Sequence, residues 1–551
     1  MPRPLINFAR PESARIQDVQ ANSRLIPIRA GNSWNHCAIV FAIILFSSVI
    51  ITERLHTRLE PMDPDLCLYA VIAHQLRFGA RLYNDVWELK PPGVMWTYEV
   101  ADWLVGNGPR EMLALGVFAA IGTLLGIYRV GATVGGARGG VLAAGLWTAT
   151  CSDLNLDANQ PNCEAFINLC VVWMLYTLVK ESRGNLVARG LAAGLLLGVA
   201  SLYKQFLVID GLVVAFAFLT LGAAEGGRRR ALAGLAASAG VLALMWLLTL
   251  AYLATHQGLD GFFKMIFVAD RAYAGTPAQI LVKSLSWNNI FPWILYFLIP
   301  LLALILAAIP VAARGPFRRQ WAVLGVLALC TFADVALPGQ YQDHYYQLWL
   351  PLACIAGGWS ATLLSAALNA RSPRLASLPW VAAALILLSF AGHEWSFFRL
   401  PPDDWSVRQY GSDVYVQGKD IGLELGHNLP PNSTLYQWGS DFEIYFYSRM
   451  IPASNVASTV LAQNPVLFGF KPNPLYDFFT RRFRSDLTLR HPDVVVVCLR
   501  YGAMCPNLRW LLERYQRFPG ISDQGDFVLL VRRGSILQSQ LEAAANLRAA
   551  G

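Results

Sequence analysis

Residues 63–93 read DPDLCLYAVIAHQLRFGARLYNDVWELKPPG and form a polar segment in a chain otherwise dominated by long apolar runs. The run before the segment ends near Thr52 and the next begins near Met112, so the connection is too long for a hairpin turn. It is also too polar to enter lipid, because it carries seven charged side chains: Asp63, Asp65, Arg77, Arg81, Asp85, Glu88 and Lys90. A charged segment beside a bilayer is a candidate functional site.

A short helix on the membrane surface is predicted within this segment. Residues 66–78 carry apolar side chains at helical spacing, and Gly79 follows as a suitable C-terminal stop. Asp65 then lies in the first turn, where a carboxylate complements the helix dipole. Helix capping alone would explain an acid at this position, so the pattern leaves a cap and a reactive group as alternatives.

The composition indicates that a bilayer is the solvent for most of the chain. Of 551 residues, 55% are hydrophobic and only 15% are charged, which is typical of a polytopic membrane protein. Eleven apolar runs are candidate spans, and several are shorter than the roughly 20 residues that a perpendicular helix needs. They cover residues 37–52, 112–128, 132–150, 163–179, 190–203, 206–221, 231–255, 290–312, 321–337, 346–368 and 380–391.

The distribution of basic residues predicts the orientation of these spans. If the N-terminus is cytoplasmic, the inside segments hold 18 arginines and lysines, whereas the three short outside loops hold only Lys204. Basic residues collect on the cytoplasmic side of membrane proteins, so this asymmetry favours a cytoplasmic N-terminus. The same rule explains the net charge of +8, and no basic patch interleaved with aromatic residues points to nucleic acid.

With eleven spans, everything after about Gly392 lies outside the cytoplasm. This tail changes character, because residues 433–438, 493–498 and 526–532 have the pattern of strands and residues 538–549 that of a terminal helix. Of the nine cysteines, none has metal-site spacing, and Cys498 and Cys505 lie in this tail, where a disulfide could persist. The sequence predicts a mainly α polytopic membrane protein with about 11 transmembrane helices and a C-terminal α/β extracytoplasmic domain.

We therefore expect three parts: a cytoplasmic segment 1–36, a transmembrane domain 37–392 with its first outer loop at 53–111, and a periplasmic or extracytoplasmic domain 393–551. The other outer loops also carry conspicuous polar groups, namely Glu164, Lys204 and His344. Each has a structural alternative. Glu164 could open a helix, Lys204 could reach the lipid headgroups, and His344 could belong to an interfacial aromatic belt.

Several motifs resemble one family. Asp65, Tyr69, Ala70, Gly79, Tyr83, Asp85, Trp87 and the sequence KPPG at residues 90–93 resemble the first outward loop of polytopic membrane glycosyltransferases of the protein-mannosyltransferase-like, family 39 group. Residues 162–166, 194–205 and 344–351 are similar to three further elements of that family. One departure is Leu66, since the family often has a glutamate after the loop's aspartate.

The resemblance implies the GT-C fold and an integral glycosyltransferase of the inner, cytoplasmic membrane. Such an enzyme transfers a sugar from a polyprenyl-phosphate donor to an acceptor hydroxyl at the outer face, with inversion of the anomeric centre. Asp65 matches the aspartate that opens this loop in the family, and we expect it to act as the general base. Four side chains are expected to hold the donor phosphate: Lys90, Lys204, Arg81 and His344. Six further residues are expected to support the site: Asp63, Tyr83, Asp85, Glu88, Glu164 and Tyr345.

The expected partners are the polyprenyl-phosphate sugar donor, membrane lipids, and an envelope glycan, lipid or protein acceptor. The sequence neither requires nor excludes a divalent metal, for which Asp63, Asp65, Glu88 and Glu164 offer hard oxygen ligands. Two other functions remain open: a flippase or transporter for a lipid-linked glycan, and an enzyme resembling O-antigen ligases, which works with arginine and histidine. A transporter would need charged or helix-breaking residues at the membrane midplane, whereas the polar groups of this chain gather at one face.

Overall fold

The computed structural model describes residues 36–180, 185–221, 227–430, 433–456, 460–463, 466–467, 471–472, 474–501, 504–517 and 525–540. Residues 1–35 of the predicted segment 1–36 and most of the predicted terminal helix 538–549 lie outside these residues.

Long apolar helices make up the larger part of the protein. Seven described helices are long and apolar enough to cross a membrane: His36–Thr57, Pro109–Thr148, Arg228–Thr255, Trp293–Arg314, Arg318–Ala336, Asp343–Asn369 and Pro373–Phe398. Three shorter apolar helices accompany them: Cys163–Val179, Leu186–Ser201 and Gln205–Thr220. Four of these helices begin with a 3-10 turn, at Gln205–Asp210, Trp293–Leu298, Asp343–Leu348 and Pro373–Leu375.

The 40-residue helix Pro109–Thr148 is a hairpin of two antiparallel segments that turns at Gly136, whose φ is 58°. The Trp147 indole donates a hydrogen bond to the Ala120 carbonyl at 3.0 Å, although the two residues are 27 positions apart. The ten apolar helices therefore supply eleven apolar segments within the described residues, which confirms the number predicted. The last helix extends to Phe398, beyond the predicted boundary at Gly392.

The first loop contains two helices, Pro64–Arg77 and Gly93–Val105. The first confirms the helix predicted at residues 66–78, and Gly79 follows it with a φ of 93°. The sequence analysis did not foresee the second. Five short helices follow one another in the loop after Thr255: Leu259–Phe263, the π-helix Lys264–Ala269, Asp270–Ala274, Pro277–Ser284 and Trp287–Ile290. One 3-10 turn, Leu154–Leu156, lies in the second loop.

The C-terminal domain confirms the predicted α/β character. Its strands are β1 Leu435–Trp438, β2 Val466–Leu467, β3 Lys471–Pro472, β4 Val494–Cys498, β5 Tyr515–Arg517 and β6 Phe527–Arg532. Four of them form a sheet in the order β1-β4-β6-β5, with β1 parallel to β4 and the other pairs antiparallel. The strands β2 and β3 form a separate antiparallel pair. The helices are Pro402–Tyr410, Val414–Asn428, Glu443–Ser448, Val460–Gln463, Tyr476–Arg490 and Pro506–Leu512, and a 3-10 turn covers Leu499–Tyr501.

The apolar residues of this domain fill its core. Val494 to Val497 in β4 are at most 5% exposed, and Trp438 and Tyr445 are at most 1% exposed. Trp438 and Tyr445 are therefore part of the core of the domain. Cys498 and Cys505 are both free thiols.

The C-terminal domain packs directly on the first loop. The Tyr447 hydroxyl donates to the Glu60 carbonyl at 3.0 Å, and Lys419 donates to the Leu59 carbonyl at 2.9 Å. The Trp87 ring meets the Phe479 ring edge-on, with centroids 5.4 Å apart. The loop is therefore enclosed between the membrane helices and the sheet domain.

Candidate active site

Asp65 lies in an ion pair with Lys90, 25 positions further along the first loop. The Lys90 ammonium donates to Asp65 Oδ2 at 2.7 Å and also to the Tyr69 hydroxyl. The Tyr69 hydroxyl in turn donates to Asp65 Oδ2 at 3.4 Å, so the three side chains form one hydrogen-bonded group. The Asp65 side chain is 42% exposed and that of Lys90 18%, so a ligand can approach both groups.

The local sequence explains how the two groups meet. Asp63 caps the helix Pro64–Arg77 by accepting a hydrogen bond from the Asp65 backbone N–H at 2.8 Å. Tyr69 follows Asp65 by four residues and therefore lies on the same face of the helix. At the other end of the loop, the Tyr83 hydroxyl donates to the Lys90 carbonyl, which fixes the backbone that carries the ammonium.

Gly93 joins this loop to the end of the helix Leu186–Ser201. Its backbone N–H donates to the Leu202 carbonyl at 2.8 Å. A Cβ at this position would lie 2.5 Å from the same carbonyl oxygen, so only glycine allows the approach. The KPPG motif thereby places Lys90 close to the segment that carries Lys204.

A second ion pair joins Lys204 to Glu164. Both side chains are buried, at 6% and 0% exposure, and the ammonium contacts a Glu164 carboxylate oxygen. It also lies over the Tyr345 ring, 3.8 Å from the centroid, where a cation is attracted by the ring face. These contacts exclude the predicted alternative in which Lys204 reaches the lipid headgroups.

His344 and Asp157 connect the second ion pair to the C-terminal domain. His344 Nδ1 lies 3.8 Å from Asp157 Oδ2, and the His344 ring packs edge-on against Tyr345. The Tyr410 hydroxyl is 3.5 Å from both an Asp157 oxygen and an Asp63 oxygen. A tyrosine of the C-terminal domain thus closes one side of the polar group around Asp65.

The carboxyls of the first loop differ in their pKa. Partial burial raises the pKa of Asp65, but the charge of Lys90 and its hydrogen bond outweigh this effect and hold the pKa below its usual range. Burial, followed by the repulsion of Asp65, raises the pKa of Asp63 to about 7. Burial also raises the pKa of Glu88 to about 7. Asp65 is therefore the acid of this group that stays ionised over the widest pH range.

Other predicted residues of the loop have contacts elsewhere. Arg81 forms a two-pronged ion pair with Asp85, at 2.8 and 3.1 Å, and donates to Gln257 at 2.7 Å. Among the described contacts, neither residue meets Asp65 or Lys90. The arrangement gives Arg81 and Asp85 a role in shaping the turn that carries Tyr83.

The sequence analysis missed three residues of this region. Tyr69 was noted as part of a motif but not as a partner of Lys90. Asp157 sits at the end of a 3-10 turn with a φ of 51°, a conformation that aspartate tolerates better than most residues. Tyr410 lies in another domain, and no local sequence signal reports contacts over 347 positions.

Comparisons with known proteins agree with this architecture. Residues 89–253 match the family model of dolichyl-phosphate-mannose-protein mannosyltransferases, which confirms the predicted resemblance over that range. No curated protein matches the sequence. Lys90, Glu164 and Lys204 all fall within the matched range.

Solved structures show the same fold at low identity. ArnT from Cupriavidus metallidurans bound to undecaprenyl phosphate superposes with a TM-score of 0.57 and 15% identity, covering 90% of this chain and 98% of that chain. The oligosaccharyltransferase AglB from Archaeoglobus fulgidus, in complex with an inhibitory peptide and a dolichol-phosphate, gives 0.51 and 12%, covering 90% of this chain and 74% of that chain. The chain is a multi-pass membrane protein with the GT-C fold of these enzymes and a C-terminal sheet-containing domain.

Proposed function

We propose that this protein is a glycosyltransferase that takes a sugar from a polyprenyl-phosphate donor and transfers it to an acceptor hydroxyl at the outer face of the cytoplasmic membrane. The observation that carries the proposal is the Asp65–Lys90–Tyr69 group, a reachable carboxylate hydrogen-bonded to a cation beside a second buried ion pair. The match to the mannosyltransferase family supports the reaction class. Crystallised ArnT carries undecaprenyl phosphate and AglB a dolichol-phosphate, which supports a lipid phosphate as the donor.

Asp65 is the proposed general base. An acceptor hydroxyl has a high pKa, so it needs a carboxylate aimed at its proton while the bond to the sugar forms. The lowered pKa keeps Asp65 ionised and ready to accept that proton. A donor phosphate that takes a share of the Lys90 ammonium weakens its hold on Asp65, so the carboxylate becomes more basic when the donor is bound.

Lys90 is the proposed main contact of the donor phosphate. An ammonium has three N–H donors, and Asp65 and Tyr69 take two of them. We assign the third to a phosphate oxygen, where the cation stabilises the charge that develops on the leaving group. Displacement from the face opposite the phosphate inverts the anomeric centre.

Lys204 and His344 are the proposed second contact with the phosphate, while Glu164 and Tyr345 hold Lys204 in place. Because Lys204 is 6% exposed, its access to a ligand requires the Glu164 pair to open or the phosphate to enter from the Lys90 side. Arg81 is a weaker candidate than the sequence indicated, since its described contacts are with Asp85 and Gln257.

The C-terminal domain is proposed to shape the acceptor entrance. Tyr410 reaches the acids beside Asp65, and several contacts hold the domain on the first loop. An acceptor must pass this contact surface to reach Asp65, so its shape and polarity select among acceptors.

The test uses a donor lipid isolated from cells that lack the gene, in which an unused lipid-linked sugar accumulates. Purified protein in lipid nanodiscs is incubated with this lipid and with envelope material from the same cells, and the products are identified by mass spectrometry. We expect the wild-type protein to move the sugar from lipid to acceptor. If the protein, reconstituted in closed vesicles, moves the intact lipid from one leaflet to the other without transferring its sugar, it is a flippase and the proposal is overturned.

A further inference from the structure

A second buried polar cluster lies near the C-terminal end of the helix Pro373–Phe398. None of its described contacts is with Lys90 or Asp65. It consists of Asp153, His393 and Glu394. His393 Nε2 lies 2.9 Å from Asp153 Oδ2, and one ligand atom of each of the three residues lies within 4.8 Å of the others. The described residues contain no other such group of histidine, cysteine or acidic side chains.

Glu394 is the unexplained member of this cluster. It is 4% exposed, and its carboxyl meets that of Asp153, so the two acids can hydrogen-bond to each other only by sharing a proton. Two ionised carboxylates so close together repel each other in a buried site, so either a proton or a cation must lie between them. The side chain is nevertheless held toward Asp153 and His393.

The charges around the cluster leave room for a divalent cation. Glu53, 8% exposed, accepts a hydrogen bond from Ser152, whose hydroxyl also accepts one from Arg54. The charges of Glu53, Asp153 and Arg54 all act on Glu394. If all three acids were ionised, one guanidinium would leave two excess negative charges, and a divalent ion can take the place of the protons that otherwise cancel them.

The histidine ring is also pre-positioned. It stacks on the Phe297 ring with centroids 5.0 Å apart and an angle of 7° between the planes. This packing fixes the direction in which Nε2 points, as a metal-ligating imidazole requires.

We propose that Asp153, His393 and Glu394 form a binding site for a divalent transition metal ion, with Zn²⁺ as the best match. Imidazole together with carboxylates suits zinc, which binds both at roughly 2.0–2.2 Å in tetrahedral geometry. Such bonds place neighbouring ligand atoms about 3.3 Å apart, so no separation in the cluster has to close by more than about 1.5 Å when the ion enters. A fourth position is left for water.

The site would act as a clamp and does not depend on the proposed function. Asp153 caps the 3-10 turn of the second loop, while the other two ligands belong to the last apolar helix. Arg54, from the first apolar helix, donates to the Cys151 and Ala158 carbonyls of the same loop. An ion here would therefore fasten the loop that carries Asp157 to the first and last membrane helices.

The test measures metal directly. Full-length protein is purified in detergent, stripped with EDTA, exposed to Zn²⁺ or Co²⁺, passed through a gel-filtration column and analysed by mass spectrometry for bound metal. We expect one ion per chain, and a tetrahedral visible spectrum with Co²⁺. We also expect the melting temperature of the stripped protein to rise with Zn²⁺ concentration, because the ion binds only the folded state.

Three variants separate this site from others. Glu394→Gln and Asp153→Asn should each weaken Zn²⁺ binding by more than the roughly 10- to 100-fold that loss of an outer-shell partner costs. His393→Ala supplies a third variant, since this ligand is 29% exposed and its truncation is better tolerated.

Glu111→Gln is the matched control, because Glu111 is fully buried with two unpartnered oxygens but lies outside the cluster. It should bind metal as the wild type does. Asp65→Asn should also keep the ion, which separates this site from a metal at the candidate active site. A wild-type protein that retains neither Zn²⁺ nor Co²⁺, or a Glu394→Gln variant that binds them as tightly as the wild type, would overturn the proposal.

Discussion

Replacing Lys90 by methionine tests both roles assigned to this residue. Methionine keeps the length and the apolar stem of lysine but removes the ammonium that contacts Asp65 at 2.7 Å and the Tyr69 hydroxyl. If the same ammonium binds the donor phosphate, its loss removes a hydrogen bond to a charged group, worth about 1.5–3 kcal/mol. At 1.4 kcal/mol for each factor of ten, the affinity for the donor lipid should fall by roughly 12- to 140-fold.

The same substitution should change the pH dependence of transfer. The charge and hydrogen bond of Lys90 lower the pKa of Asp65, so their removal raises it. A general base must be deprotonated, and activity is lost as the pH falls through its pKa. The acidic limb of the rate profile of Lys90→Met should therefore move to higher pH than that of the wild type.

The assay combines two measurements on protein in nanodiscs: donor-lipid binding by calorimetry, and initial rates of transfer between pH 4 and 9. Lys264→Met is the matched control, because Lys264 forms an exposed ion pair with Asp260 in a different loop. It should leave both measurements unchanged. If Lys90→Met binds donor within a factor of two of wild type and keeps its acidic limb, Lys90 neither binds the phosphate nor tunes Asp65.

Three further predictions test other contacts. Lys204→Met leaves the fully buried Glu164 without its partner and should cost about 3–5 kcal/mol of stability, visible as a lower melting temperature. The Lys204→Met, Glu164→Gln double variant should recover part of this loss, and no recovery would mean that the unpaired Glu164 carboxylate does not cause it. Gly93→Ala puts a Cβ 2.5 Å from the Leu202 carbonyl oxygen and should slow transfer by displacing Lys90, whereas Gly325→Ala, with open space around it, should not; equal rates in both would refute the role of this close approach. Tyr410→Phe should raise the KM for the acceptor and leave donor binding intact, and a change confined to donor affinity would contradict the entrance role.

The membrane helices and the helix in the first loop could be predicted from the sequence, because local patterns of residues determine both. Apolar runs report on lipid contact, so the eleven segments were visible even where Gly136 folds two of them into one hairpin. Helical periodicity and a glycine stop located the helix Pro64–Arg77, and short apolar segments between turn-rich stretches located three strands of the sheet. The helix Gly93–Val105 was missed because its start, PPG, reads as a turn.

The partners of the charged side chains were out of reach of the sequence. Lys90 and Lys204 were expected to hold a phosphate, and the structure gives each of them an acidic partner. Asp65 pairs with Lys90 from 25 positions away, and Glu164 pairs with Lys204 from 40 positions away. Such pairs form where the ends of several helices meet, and their geometry depends on tertiary packing. Arg81 shows the reverse case, since its partner Asp85 is only four positions away and was available in the sequence.

The most direct test of the central claim is the rate of sugar transfer by Asp65→Asn, measured with the donor lipid that accumulates without the gene. Asparagine preserves the size of the side chain and its position in the first turn of the helix but accepts no proton at neutral pH. We predict that this variant folds and binds the donor lipid, while its transfer rate falls by about 10²- to 10⁴-fold, the usual contribution of a general base. Asp260→Asn, which changes an exposed acid in the loop after Thr255, should transfer at the wild-type rate. Transfer by Asp65→Asn at the wild-type rate would contradict the assignment of Asp65 as the catalytic base.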